Sequence, residues 1–141
     1  MQFGATDVVD STKADPVEAV QALLPRGADH VFDFVGLKTV AEQGLAMLSA
    51  GGGLYLVGVA KPEVSLDVNI FGAIGGQKRI QGVNYGSTNF KRDIPTYAEL
   101  YLQGRLNLDG LVSKRIALRD VNDGYAALKD GSINRVVITS F

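Results

Sequence analysis

Apolar and polar positions along this chain fall into short blocks whose spacing alternates between that of a strand and that of a helix. The most continuous block is Leu54-Tyr55-Leu56-Val57, preceded by Gly51-Gly52-Gly53 and followed by Gly58-Val59. An apolar run this short, rich in β-preferring residues and bounded by turn formers, predicts a strand buried on both faces, like the interior strands of parallel sheets. Burying Leu54, Tyr55, Leu56, Val57 and Val59 at about 1.5 to 3 kcal/mol each would rival the net stability of a whole domain. The rest of the chain is therefore expected to cover this strand from both sides. The three glycines read as the tight turn that leads into it.

Upstream, Phe3-Gly4-Ala5 reads as the end of a helix whose body precedes the chain, and Asp7 to Asp10 as a short strand. Asp15-Pro16-Val17-Glu18 predicts a helix start, with Asp15 as cap, proline in the first turn and Glu18 completing a capping box. That helix should run to about Leu24 and stop before Pro25. Ala28 to Gly36 predicts a second strand. Val40, Ala41, Leu45 and Leu48 recur at helical spacing over Leu37 to Leu48. Strand, helix, strand, helix, strand implies parallel pairing with right-handed crossovers. Val64 to Val68 alternates as a half-exposed strand should, 69–76 reads as a short glycine-rich connection or helical turn, and Arg79 to Tyr85 as a further strand. Gly86 to Asn89 reads as a loop and cap before a helix from Phe90 to Gln103, closed by Gly104. A strand over Leu111 to Leu118, a helix over Arg119 to Lys129 and a strand over Asn134 to Thr139 complete the series.

Composition narrows the chemistry. The chain has 141 residues, 46% hydrophobic and 21% charged, with net charge −1, so nothing recruits nucleic acid or an anionic membrane. No apolar run approaches a membrane-spanning length and no signal-peptide pattern is visible, which makes the cytoplasm the default expectation. With no cysteine and one histidine, the chain cannot build an ordinary zinc site by itself. His30 lacks a neighbouring nucleophile and reads as a surface or edge residue. Asp29 and Asp33, four apart on one strand, would be about 13 Å apart, too far for a paired acid and base. Neither Gly-x-Gly-x-x-Gly nor Gly-x-x-x-x-Gly-Lys occurs, and Gly51-Gly52-Gly53 leads into a strand, so no helix N-terminus there faces a pyrophosphate. Gly58 stands at the carboxyl end of the central strand, where ligands of open α/β sheets bind, and ligand binding and plain turn geometry remain equal readings of it. Arg135, beside the last strand, is a candidate phosphate-binding guanidinium or a simple surface arginine.

Phe3-Gly4-Ala5-Thr6-Asp7, Gly27 to Asp33, Gly51-Gly52-Gly53 through Val57-Gly58-Val59, Gly104-Arg105-Leu106 through Leu111-Val112, and Gly131 through Val137 together resemble the C-terminal part of zinc-containing medium-chain alcohol dehydrogenases. Gly86-Ser87-Thr88-Asn89 with Arg92-Asp93-Ile94-Pro95 looks most like the class III and aryl-alcohol branch. The resemblance implies an α/β fold: a partial doubly wound, Rossmann-like parallel sheet lacking its first two strands, with a C-terminal strand-helix-strand return. Residues 1–86 would be the C-terminal portion of the cofactor-binding domain and 87–141 the return segment. It implies a fragment of an NAD(P)-dependent enzyme moving a hydride between an alcohol and nicotinamide, inactive alone, with zinc held by residues outside this chain. The alternatives are a zinc-free NADPH quinone or enoyl reductase fragment, and a non-catalytic dimerisation module. By position, Phe34 and Val35 would flank the adenosine-side ribose region, and Val57, Gly58 and Val59 would line the nicotinamide ribose and ring. The backbone of Val83 and Tyr85 would meet the carboxamide, and Arg135 the pyrophosphate. Val64 to Val68 and Arg79 to Val83 resemble the family's subunit-joining segment, which implies a homodimer. In the sheet order 3-2-1-4-5-6, Asp7 to Asp10 would lie two vacant places from its partner. It should slide beside Ala28 to Phe34, pair with another chain, or remain poorly ordered.

Overall fold

The structure, a computed structural model, describes residues 3–141. It divides into two compact units, residues 1–88 and 89–141. In the first, helix α1 (Pro16–Leu23) is followed by strand β1 (Ala28–Asp33), helix α2 (Lys38–Met47), strand β2 (Leu48–Leu56), helix α3 (Ile70–Gly76) and strand β3 (Arg79–Gly82). Asp15 caps α1 as its position predicts, its carboxylate accepting from the amides of Val17 (2.8 Å) and Glu18 (3.0 Å). The strands form one parallel sheet in the order β1-β2-β3. This is the succession of a doubly wound half-sheet, with β2 in its centre.

Among the described residues, Leu54 is the one large side chain removed completely from solvent. Its neighbours explain why α2 lies so close: a Cβ on Gly44 of α2 would stand 3.0 Å from both Leu54 Cδ1 and Val31 Cγ1. A glycine in mid-helix costs about 1 kcal/mol relative to alanine, and here its missing side chain lets the helix backbone settle onto the sheet. The right-handed crossover rule puts α3 on the same face as α2. The opposite face carries His30, Phe32 and Tyr55. The Phe32 and Tyr55 rings are stacked at 4.7 Å, and Phe32 remains 56% exposed.

Several sequence expectations change here. Gly51 to Gly53 is not a turn before the strand but an irregularity inside it. Ala28 pairs with Leu48 and His30 with Gly53, so β2 accommodates three extra residues, with Gly51 at φ 77°. Burial also runs out sooner than the apolar pattern predicts: Tyr55, Leu56 and Val57 are only half-buried and Val59 is 96% exposed. Val59 follows the last ladder bond and has left the sheet. Asp7 to Asp10 forms no strand; Asp10 instead closes a turn, accepting from Thr12 and Lys13. Val64 to Val68 is not a strand either. It has no ladder partner, and the amide of Asp67 turns to the Glu42 carboxylate while its own carboxylate takes the Lys38 ammonium. That hydrogen bond raises the Lys38 pKa above its ordinary value.

The second unit contains helix α4 (Phe90–Leu102), strand β4 (Lys114–Ala117), helix α5 (Val121–Ala127) and strand β5 (Val136–Ser140). β4 and β5 pair in parallel around α5, the strand-helix-strand return expected of this region. Asn89 occupies the cap position of α4 without a side-chain capping bond; Asp93 reaches back instead, accepting the Asn89 amide at 2.8 Å. The expected Leu111 to Leu118 strand shortens to β4, because 109–111 and 118–120 wind into 3₁₀ turns.

Leu54→Ala should lower unfolding stability by about 2 to 5 kcal/mol, as cavities at filled core positions do. Urea titration with a helix-sensitive signal measures this.

Candidate functional site

The three parallel strands end together, and their loops emerge side by side. After the last β1–β2 pair, Asp33 with Leu56, the amides of Val57 and Gly58 both donate to the main-chain oxygen of Asp33 at 2.8 Å. On the other side of β2, the amide of Val83 donates to Leu56 O at 2.9 Å. Phe34, Val35, Val57, Gly58, Val59, Val83 and Tyr85 are thus brought to one edge of the sheet, its carboxyl edge. Phe34, Val35, Val59 and Tyr85 are exposed there, while Val57, Gly58 and Val83 are half-buried. Arg135 lies in the second unit beside β5, exposed, its main-chain oxygen accepting from Ser113 and Lys114.

Two glycines make the edge possible. A Cβ on Gly58 would fall 2.3 Å from Gly36 N and 2.6 Å from Val35 C. One on Gly36, at φ 77°, would fall 2.8 Å from Val59 C. The two loops therefore meet backbone to backbone, which gives the open choice at Gly58 a structural component.

Asp33, 4% exposed at the end of β1, is a residue the sequence reading set aside. Its Oδ1 accepts from the amides of Val35 (2.7 Å) and Gly36 (3.1 Å). The signal was present as an aspartate two residues before a chain reversal, the pattern of an Asx turn. A cleft of about 90 Å³ opens beside it, lined in part by Asp33, Gly36, Leu37, Lys38 and Gly58. At the end of β3, Tyr85, Gly86 and Ser87 take φ values of 48°, 67° and 54°. Such a left-handed conformation costs about 1 to 2 kcal/mol at each non-glycine residue, and strain of this kind gathers at functional loops.

His30 is exposed, with Nδ1 3.2 Å from Tyr55 Oη, and Asp29 accepts the Ser49 hydroxyl at 2.9 Å, so the three do not form a relay. Among the described residues no group of three or more His, Cys, Asp or Glu side chains could hold a metal ion. None of their helices is long and apolar enough to cross a membrane. The edge offers main-chain hydrogen-bonding groups and apolar surface beside the Asp33 and Lys38 side chains of the cleft.

A parallel half-sheet with its loops gathered at the carboxyl ends defines an open α/β ligand-binding domain. Residues 1–103 match the family described as zinc-binding dehydrogenase. The chain belongs to this family and corresponds to the C-terminal cofactor-binding part of zinc-containing medium-chain alcohol dehydrogenases. A probable S-(hydroxymethyl)glutathione dehydrogenase of Schizosaccharomyces pombe is 30% identical over 139 residues, covering 97% of this chain and 36% of its own length. An NDMA-dependent alcohol dehydrogenase of Amycolatopsis methanolica is 33% identical over 144 residues, covering 98% of this chain and 38% of its own. The crystal structure of benzyl alcohol dehydrogenase from Acinetobacter calcoaceticus superimposes with a TM-score of 0.93 at 28% identity, over 99% of this chain and 38% of that one. The chain thus spans little more than a third of the length of these relatives.

Gly58→Ala should cost about 1 to 3 kcal/mol of stability through overpacking, because its nearest neighbours are main-chain atoms. Gly82→Ala, with nothing within 4 Å of the added carbon, should change stability by less than about 0.5 kcal/mol. Parallel urea titrations of the two variants compare them.

Proposed function

We propose that this chain is the nicotinamide-side part of the cofactor domain of an NAD(P)-dependent alcohol dehydrogenase. The parent enzyme would move a hydride between an alcohol and nicotinamide, the redox chemistry that the cofactor supplies when bound. The observation that carries this reading is the gathering of the three strand ends at one edge in a chain of this family. The fit to a nicotinamide is chemical. Val59 and Tyr85 expose apolar surface, and the loops at Val57-Gly58-Val59 and Val83 to Tyr85 bring main-chain donors and acceptors for a ribose and a carboxamide. Phe34 and Val35 would flank the adenosine-side ribose region. NAD is the first choice; NADP is the alternative, and a Sinorhizobium meliloti putative zinc-binding dehydrogenase, 27% identical with a TM-score of 0.78, was solved bound to NADP. Catalytic zinc does not fit the residues here, since the chain has no cysteine, and its ligands would belong to the remainder of a larger cytoplasmic enzyme.

The bare sheet face supports the same reading. Parallel sheets are ordinarily covered on both sides, yet Phe32 and Phe34 are 56% and 73% exposed. In this reading residues 1–86 are the end of the cofactor domain and 87–141 its return segment. The parent assembles as a homodimer: β3 is an edge strand, exposed throughout, with a row of main-chain groups available to a second copy.

Titrating NADH into the ¹⁵N-labelled chain should shift the amide signals of Val35, Val57, Gly58, Val59, Val83 and Tyr85. Shifts confined to other residues would refute the site. The chain alone, given NAD, zinc and a panel of alcohols, should produce no reduced cofactor, and turnover would contradict the partial-enzyme reading. Light scattering should return twice the mass of one chain; a monomer at all concentrations would count against the dimer.

A further inference from the structure

The carboxyl edge is held by one buried side chain that takes no part in the proposed contacts with cofactor. Asp33 is bonded in two directions. Its Oδ1 gathers the amides of Val35 and Gly36, and its main-chain oxygen gathers those of Val57 and Gly58. The two sets belong to the two loops that the glycines bring into backbone contact. A carboxylate accepting main-chain amides makes a stronger bond than a neutral acceptor, and at 4% exposure little water can replace it.

We propose that Asp33 is a positioning residue for cofactor binding. By fixing the turn at Val35-Gly36 it fixes the surface against which Val57-Gly58-Val59 rests, and so the separation of the two loops that would receive the ribose and the nicotinamide ring. The proposal rests on the site reading above, and its first test does not need the cofactor. Gly36 is the link: its left-handed conformation puts it against the main chain of Gly58, Val59 and Ala60. If the turn relaxes, the second loop loses its support although no side chain of that loop has changed.

Both carboxylate bonds fall on a single oxygen, so Asp33→Asn keeps an acceptor in place and Asp33→Ala removes it. In amide hydrogen exchange, Asp33→Ala should accelerate Val57 and Gly58 by about tenfold or more, the factor that corresponds to losing one net hydrogen bond, and Asp33→Asn should restore most of the protection. Acceleration confined to Val35 and Gly36 would make Asp33 a local cap and overturn the proposal, whatever the cofactor does. NADH titration supplies the second arm. Asp33→Ala should weaken NADH binding by about tenfold or more, with Asp33→Asn close to the unsubstituted chain. Unchanged NADH affinity in Asp33→Ala would refute the positioning role and leave the site reading intact. Failure of the unsubstituted chain to bind NADH would count against the site reading alone, and hydrogen exchange would still decide the coupling of the loops. Should Asp33→Ala fail to fold, Asp33→Asn still discriminates: NADH binding weakened about tenfold or more while Val57 and Gly58 stay as protected as in the unsubstituted chain would overturn the proposal.

Discussion

The first unit depends on the parallel pairing of β1 with β2. Their ladder sets Val31 beside Leu54 on the face that α2 covers, and it ends where Asp33 O receives the amides of Val57 and Gly58. Main-chain bonds of this kind bring the following loops within van der Waals contact, and only a residue without a side chain fits at such a meeting. Gly36 and Gly58 therefore follow from the pairing. The cleft beside them and the exposed apolar residues of the edge follow in turn.

The sheet has two unequal faces. One holds Leu54, the most buried side chain, against Gly44 of α2; the other presents stacked aromatic rings to solvent. Aliphatic side chains on the first face achieve removal from water, the main source of stability in a fold. On the second, Phe32 and Tyr55 recover part of that gain by lying against each other. One face of this sheet is thus packed under a helix, and the other keeps Phe32 56% exposed.

The loops of the edge carry main-chain groups and apolar surface, and the relatives named above are nearly three times as long as the segment they share with this chain. Tyr85 and Ser87 take left-handed conformations in one of these loops, and the buried carboxylate of Asp33 accepts the amides of Val35 and Gly36 in another.

What the sequence determined by itself were the local elements and their order. The Asp15 cap, the helical spacing over 37–48 and the short β-rich runs rest on interactions between near neighbours, and they recur in the structure with small changes of boundary. The ordered glycine and apolar motifs also carried the family; at Gly27 and Gly58 they record close approaches of main chain. Only the tertiary structure decided which of these patterns found a partner. Val64 to Val68 alternates like a strand, and Asp7 to Asp10 resembles one, but strands exist by hydrogen bonding to a neighbour, and neither has one. Leu54 and Val59 look alike in an apolar run, yet one is fully buried and the other 96% exposed, since burial depends on what packs above a residue. Asp33 read as an unpaired carboxylate until the fold brought two loops to its two ends. Its main-chain bonds to Val57 and Gly58, distant in sequence, leave no periodic trace, whereas its carboxylate bonds to Val35 and Gly36, like a helix or a cap, leave one within a few residues.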